Sequence, residues 1–313
     1  MAGSKPLFVV GSVNADLLLE SRLPLAGETV SVTGGGYIVP GGKGANQAAA
    51  AALMGHATRF VGQTGRDAPA TLLRDALAAC GVELTHCAAV DAPTGQAVIV
   101  LQPGGENSII LVPGANAAWS APPAAALAAL EGAGVLLLQR EVPESVSLAA
   151  ARAAHAAGVP VILDAGGDET PLGDELLSCV SILSPNETEL ARLTALPTAG
   201  EEQVLVAAAA LQARGVRTVL VKLGPLGSLL VPPPPEKPLR QPAFQASQVV
   251  DTTGAGDCFT AAFAVALLEG RSNAEALRFA SAAACICVGR MGAMPSLPSR
   301  KEVEELLAST PVV

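Results

Sequence analysis

Aromatic residues make up only 3% of this 313-residue chain, with one tryptophan and one tyrosine, and charged residues only 15%. A core must then be built from Ala, Val and Leu, which favours helices lying close on a sheet. The three histidines, His56, His86 and His155, are scattered without ligand spacing, so no transition-metal centre is expected. The six cysteines, Cys80, Cys87, Cys179, Cys258, Cys285 and Cys287, contain no C-x-x-C pair. Several lie in apolar segments and read as buried, reduced thiols of a cytoplasmic compartment.

Long hydrophobic runs are missing too. The longest candidate, Ala121 to Leu138, is broken by Pro122, Pro123, Glu131, Gly132 and Gly134, and falls short of the roughly 18 residues of a membrane span. The mean hydropathy of +0.45 reflects alanine, not a membrane segment. Six residues precede the first apolar strand, too few for a signal or transit peptide. Basic residues are outnumbered, and the net charge of −9 argues against nucleic acid and anionic membranes as partners. It leaves room for a phosphorylated ligand, because backbone dipoles and a bound cation hold phosphates without a basic patch.

What is present is a rhythm. Apolar strands are expected at Leu7–Val13, Thr58–Val61, Gln96–Leu101 and Ser108–Val112, the last two joined by the turn Pro103-Gly104-Gly105-Glu106. A helix is expected from Asp67 to Cys80, closed by Gly81. Beyond Pro113, strands at Val135–Gln139, Pro160–Asp164, Val180–Ser184 and Thr218–Leu223 alternate with helices at Pro143–Ala157, Glu187–Leu193 and Glu201–Arg214. Such alternation means βαβ units. A strand ending at Val250 and helices near Ala255–Leu268, Asn273–Val288 and Ser299–Ala308 close the chain. The expectation is a single α/β domain over 1–313: a doubly wound, mostly parallel sheet with helices on both faces. Segments about 14–39 and 95–112 would form a small β lid. Polar residues follow the strands, where ligands of such sheets bind.

The stretch Asp251-Thr252-Thr253-Gly254-Ala255-Gly256-Asp257 opens a helix whose Phe259, Phe263 and Leu267 share a face. A glycine turn delivering a helix N-terminus leaves unpaired N–H groups, an anion site. Asp257 there is either a cap or a base, and capping needs no bare glycine backbone. Four other constellations each allow two readings. Asn14 and Asp16 suit a turn or a grip on vicinal hydroxyls. Gly41-Gly42-Lys43-Gly44-Ala45-Asn46 lacks the Walker A spacing and is a tight turn or a contact for a small polar ligand. Glu141 is a surface charge or a hydroxyl ligand. Asn186 and Glu189 have capping-box spacing, compatible with a second role.

The 251–257 stretch resembles the C-terminal signature of the ribokinase-like, phosphofructokinase-B type carbohydrate kinases, and the 41–47 stretch resembles their N-terminal signature in its ribokinase form. The resemblance covers nearly the whole chain. It implies a ribokinase-like fold and ATP-dependent phosphorylation of D-ribose at O5, with Asp257 as general base. It implies sugar contacts from Asn14, Ala15, Asp16, Gly42, Lys43, Gly44, Ala45, Asn46, Glu141 and Asp257. Nucleotide contacts would come from Asn186, from Lys222-Leu223-Gly224-Pro225-Leu226-Gly227, from the amides of Gly254, Ala255 and Gly256, and from Ser281. Mg²⁺ would be met through water by Glu189. A monovalent cation, K⁺, would lie near Asp251, Thr253, Cys287, Arg290, Gly292 and Ser296, and two copies would join through the lid. One departure stands out: Asp164-Ala165-Gly166-Gly167 occupies a place where the family often has Asn-Pro-Ala-Pro, near the nucleotide or Mg²⁺ and away from the catalytic turn. A kinase for another sugar or nucleoside, and a non-catalytic sugar-binding regulator, remain the alternatives.

Overall fold

The first strand, β1 (Leu7–Val10), is buried along its whole length between β4 (Thr58–Thr64) and β8 (Val135–Arg140), parallel to both. In the computed structural model, which describes residues 5–32, 36–102 and 107–310, it lies inside a nine-stranded sheet. β5 (Glu83–Ala89) forms one edge beyond β4. On the other side follow β9 (Val161–Gly167), β10 (Ile182–Ser184), β11 (Thr218–Lys222), β12 (Ser228–Val231) and β13 (Leu239–Gln241). Every pairing from β5 to β11 is parallel, while β12 and β13 are antiparallel.

Strand alternation sorts the side chains into two cores. Leu7, Val9, Leu137, Ile162 and Leu220 face α1 (Lys43–Leu53), α8 (Ala255–Leu268) and α9 (Asn273–Cys287). Their neighbours Phe8, Val10, Leu136, Leu138, Val161, Leu163, Val219 and Val221 face α4 (Glu144–Ala156) and α7 (Glu201–Ala213). The scarcity of aromatics shows in the first of these cores. Ala261, Ala262, Ala264 and Ala266 of α8 and Ala280, Ala282 and Ala283 of α9 are fully buried, so the backbones approach closely.

A second sheet has four strands, in the order β3 (Gly36–Gly41), β2 (Asn14–Glu20), β6 (Gly95–Leu101), β7 (Asn107–Val112). It is built from the two segments expected to form a lid; the turn expected at 103–106 lies outside the described residues. Tyr37, Ile38, Ile109, Ile110, Leu111 and Val112 are exposed apolar side chains of this sheet; Ile38 and Ile110 share one cross-strand row, on the face opposite the row of Asp16 and Leu111.

Three expectations are corrected. The opening strand stops at Val10, and Asn14 and Asp16 lie in β2 of the second sheet, not in a turn. The strand expected to end at Val250 does not form. β13 already occupies the sheet edge, and the chain runs on irregularly with Val249 and Val250 exposed and the Val250 and Asp251 amides donating to the Val288 carbonyl. Edge strand β5, half exposed and poor in β-branched residues, carries no alternating signal and is an addition, as are β12 and β13.

The first turn of α1 seats directly on the end of β1. A Cβ at Gly44 would stand 2.6 Å from the Ser12 amide nitrogen and 2.7 Å from the Ser12 oxygen, both backbone. Gly44→Ala is therefore expected to lower the unfolding free energy by roughly 1–3 kcal/mol, the usual cost of overpacking. Urea denaturation of the two proteins checks it.

Candidate active site

Gly254 is the N-cap of α8, and its φ of 78° favours a residue without a Cβ. No side chain caps this helix. The Ala255 amide donates to the Thr252 carbonyl at 3.2 Å, whereas the amides of Gly256 and Asp257 have no partner among the described residues. Of the three amides expected there, that of Ala255 is engaged, while those of Gly254 and Gly256 have no partner among the described residues. Asp251 ties the turn together: Thr253 donates to its Oδ1 through both N–H and O–H, and the Gly292 amide donates to its Oδ2 at 2.9 Å.

Asp257 is 5% exposed and is no cap. Asn46 Nδ2 donates to its Oδ2 at 3.0 Å, and Gln47 Nε2 to its Oδ1 at 3.1 Å. Behind Gln47, Gln139 Nε2 donates to Gln47 Oε1 at 2.6 Å. Because an ionised carboxylate only accepts, Gln47 must present its NH₂, and that choice fixes Gln139 in turn.

The start of α1 is capped from a distance. Gly42 has φ 87° and no side chain; Glu141 Oε2 instead accepts from the Lys43 amide at 3.0 Å and from Ser12 Oγ at 2.6 Å. Glu141 is thus half buried and structural in part, not a loose surface charge. Ala15, Gly44 and Ala45 enter through backbone and packing, buried beside Asn14, Asp16 and Asn46. Asn14 Oδ1 accepts from Asn116 Nδ2 at 2.7 Å, and Asn116 also pairs with both backbone groups of Val13. Asp16 Oδ1 and Asn46 Oδ1, both buried, have no hydrogen-bond partner among the described residues. Gly41 leaves room for Asp16: a Cβ there would stand 1.9 Å from Asp16 Oδ2. A cavity of about 480 Å³ opens beside this cup, bordered by Asn14, Asn116 and Glu141 and by Leu111 and Val112 of β7.

On the far side, Asn186 and Glu189 form the capping box of α6 (Glu187–Thr194), with reciprocal bonds of 2.8 and 2.7 Å. Asn186 bridges Lys222 at the end of β11. The turn Gly224–Gly227 follows, and Gly227 at φ 97° has no space for a Cβ, the Gln241 carbonyl oxygen standing 2.0 Å from its position. Ser281 of α9 lies near, donating to the Pro242 carbonyl at 3.4 Å. Asp164, expected near the nucleotide and away from the catalytic turn, bonds to no residue of the 251–257 turn and lies between Lys222 and α8. Its Oδ2 accepts from Lys222 Nζ at 2.7 Å and from Thr260 Oγ1, on the second turn of α8, at 2.9 Å.

Residues 4–300 match the pfkB family of carbohydrate kinases. The chain belongs to that family. It is similar to the ribokinase of Arabidopsis thaliana, 53% identical over 98% of this chain and 82% of that protein. It is also similar to the ribokinase of Haemophilus influenzae, 39% identical over 97% of this chain and 98% of that one. The Arabidopsis thaliana ribokinase solved with ribose and ATP superposes with a TM-score of 0.93 at 52% identity, covering 97% of this chain and 98% of that one.

In this pfkB-family chain the positions expected near a cation split in two. Asp251, Thr253 and Gly292 meet as described. Cys287 Sγ instead contacts Ser296 Oγ at 3.0 Å, and the Arg290 guanidinium turns outward to Glu302. Gln47, Gln139, Asn116, Ser12 and Thr260 were not singled out from sequence. Only Gln47, the last residue of the 41–47 signature, carried any signal there.

Electrostatically the cup is acidic and strained. Burial, then Glu141 and then Asp257, push the Asp16 carboxyl up to about 7. Burial also raises Asp257, against the pull of Lys43. Lys43 in turn is held above its ordinary value, chiefly by Asp257, despite its own burial. Since folded Asp16 binds its proton more tightly than the unfolded chain does, its contribution to stability falls as pH rises from about 4 to about 7. Asp16→Asn should remove a slope of at most about 1.4 kcal/mol per pH unit in that window. Chemical denaturation of both sugar-free proteins at a series of pH values measures it.

Proposed function

We propose that this chain transfers the γ-phosphoryl group of ATP to O5 of D-ribose, giving ribose 5-phosphate and ADP. The observation that carries the reading is the buried Asp257 carboxylate, uncapped beside the open amides of Gly256 and Asp257 and facing a cup with unpaired acceptors at Asp16 and Asn46. A polyhydroxylated ligand supplies the donors those oxygens lack. Asp16 and Asn14 would accept from ring hydroxyls, with Asn46, Lys43 and Glu141 closing round the sugar.

In the step itself Asp257 accepts the O5 proton as the O5–P bond forms and the bond from the γ-phosphorus to the β-γ bridging oxygen breaks. The charge stays with the leaving ADP. The open amides at the α8 N-terminus stabilise the charge on the transferring group, so rate comes from positioning and electrostatics. Asn186, Ser281 and the 222–227 turn would hold the nucleotide. No cluster of three His, Cys, Asp or Glu side chains among the described residues suits a metal by itself. That fits an ion met mainly by phosphates and water, with Glu189 in its outer shell. When bound, Mg²⁺ supplies charge neutralisation to the phosphates.

K⁺ belongs to the same reading. Asp251 is committed to Thr253 and Gly292, and Arg290 to Glu302, so main-chain oxygens of the 251–253 and 287–296 segments are the hard donors available. The described cysteines are all free, which suits a reducing, cytoplasmic setting. The chain is read as one working unit whose second sheet serves as the lid. The face of that sheet carrying Ile38 and Ile110 is proposed to pair with a second copy.

The deciding assay is ADP release with D-ribose, D-fructose, 2-deoxyribose or adenosine, each with K⁺ or Na⁺. Ribose-dependent turnover that rises with K⁺ is expected; turnover with another acceptor alone would reassign the cup. Asp257→Ala should lower kcat at least about a hundredfold, and near wild-type turnover in that variant would sink the assignment. Ile110→Asp should convert a dimer to a monomer in sedimentation velocity, and an unchanged species would remove the lid from the interface.

A further inference from the structure

The reading above leaves Lys222 as one member of a nucleotide turn, yet its side chain does something the turn does not require. Its Nζ lies 2.7 Å from Asp164 Oδ2, and its side chain is 14% exposed against 2% for Asp164. The same Nζ stands 3.6 Å from where a Cβ on Gly256 would be, beside a residue of the α8 N-terminus whose amide is open. The Lys222 backbone is fixed as well, its amide donating to the Pro185 carbonyl at 2.9 Å and its strand end bridged to Asn186. Lys43 also lies near Asp164, its Nζ 2.7 Å from the Cβ position of Gly166, with Asp257 the chief charge acting on it.

We propose that Lys222 is a catalytic residue that contacts the transferring phosphoryl group alongside the open amides, and that Asp164 is the positioning residue that holds its ammonium there. The proposal rests on the kinase reading of the site. A half-buried ammonium needs a counter-charge before substrate arrives, and Asp164 supplies it. Asp164 can release Lys222 without being stranded, because Thr260 Oγ1 at 2.9 Å and the Gly166 amide at 2.9 Å remain on its oxygens. The γ-phosphoryl group, carrying more negative charge than one carboxylate, then takes the ammonium. Lys222 gives up no proton in this step; it adds positive charge where negative charge develops. The departure at Asp164 and the lysine at 222 thus form one device. Lys43 serves the base and the sugar, while Lys222 serves the phosphoryl group.

The test compares wild type with Lys222→Met, Asp164→Asn and the double variant, with ribose as acceptor. Binding of a non-hydrolysable ATP analogue and of AMP is followed by calorimetry. Lys222→Met should lower kcat about a hundredfold, the range for losing one preorganised donor, with the KM for ribose unchanged. It should weaken the ATP analogue but not AMP. The double variant, in which no buried carboxylate is orphaned, should remain at least about tenfold below wild type. Recovery of the double variant to wild-type kcat would overturn the proposal, since Lys222 would then merely neutralise Asp164. Equal weakening of AMP and the analogue would overturn it too. A wild-type protein that does not use ribose would instead refute the kinase reading, and the calorimetry would still judge Lys222.

Discussion

A carboxylate held between two helix N-termini is the constraint from which the rest of this structure follows. Asn46 and Gln47 on the first turns of α1 reach Asp257 on the first turn of α8, more than two hundred residues along the chain. Both helices therefore have to start at the same place, at the ends of the parallel strands. Two N-terminal dipoles aimed at one spot would repel were there no negative charge between them. Asp257 provides it in the free protein, and a phosphoryl group would add to it. The alanine-rich contact of α1, α8 and α9 serves this geometry, because larger side chains would hold the helices too far apart for two short amides to span the gap.

The turns that carry the site are glycine-rich for steric reasons that differ from one position to the next. Gly41 is kept bare by the Asp16 carboxylate, Gly44 by the backbone of Ser12, and Gly227 by the carbonyl of Gln241. Gly254 combines a left-handed φ with the approach of Ala293, its Cβ position standing 3.0 Å from that residue's Cα. A glycine-rich motif in this chain is a record of which backbones must touch.

That explains how much was legible in the sequence. Parallel strands buried on both faces are continuous apolar runs, and β1, β8, β9 and β11 could be read within a few residues. The signatures at 41–47 and 251–257 could be read because their chemistry is local. What escaped was non-local. Nothing about Gln139 in an apolar strand shows that it will meet Gln47, and Asn116 gives no hint that it will hold Asn14. Asp164 could be noticed as a departure, but its bond to Lys222 needs β9 and β11 to sit one strand apart with β10 between them. The strand expected before Asp251 failed for the converse reason. Val249 and Val250 have strand propensity, but the Val250 amide pairs with the Val288 carbonyl just past α9 and not with a strand.

The charge distribution completes the argument. A chain with a net charge of −9 is poorly suited to gather polyphosphates by its overall field. Its attraction for an anion has to be local, and the residues that would supply it are few: two lysines and the open end of α8. Around them stand Asp16, Glu141, Asp164 and Asp257, enough negative charge to neutralise both ammonium groups while the site is empty. Asp16 and Asp257 are the carboxyls that burial leaves most reluctant to ionise. Each lysine, by contrast, has a carboxylate of its own. A sugar that donates hydrogen bonds to Asp16 and gives its proton to Asp257 relieves the first kind of strain. A phosphoryl group that draws on Lys222 uses the second. An acidic cup of this kind is one that a neutral, hydroxyl-rich ligand would improve, by donating to carboxyls that burial makes reluctant to ionise.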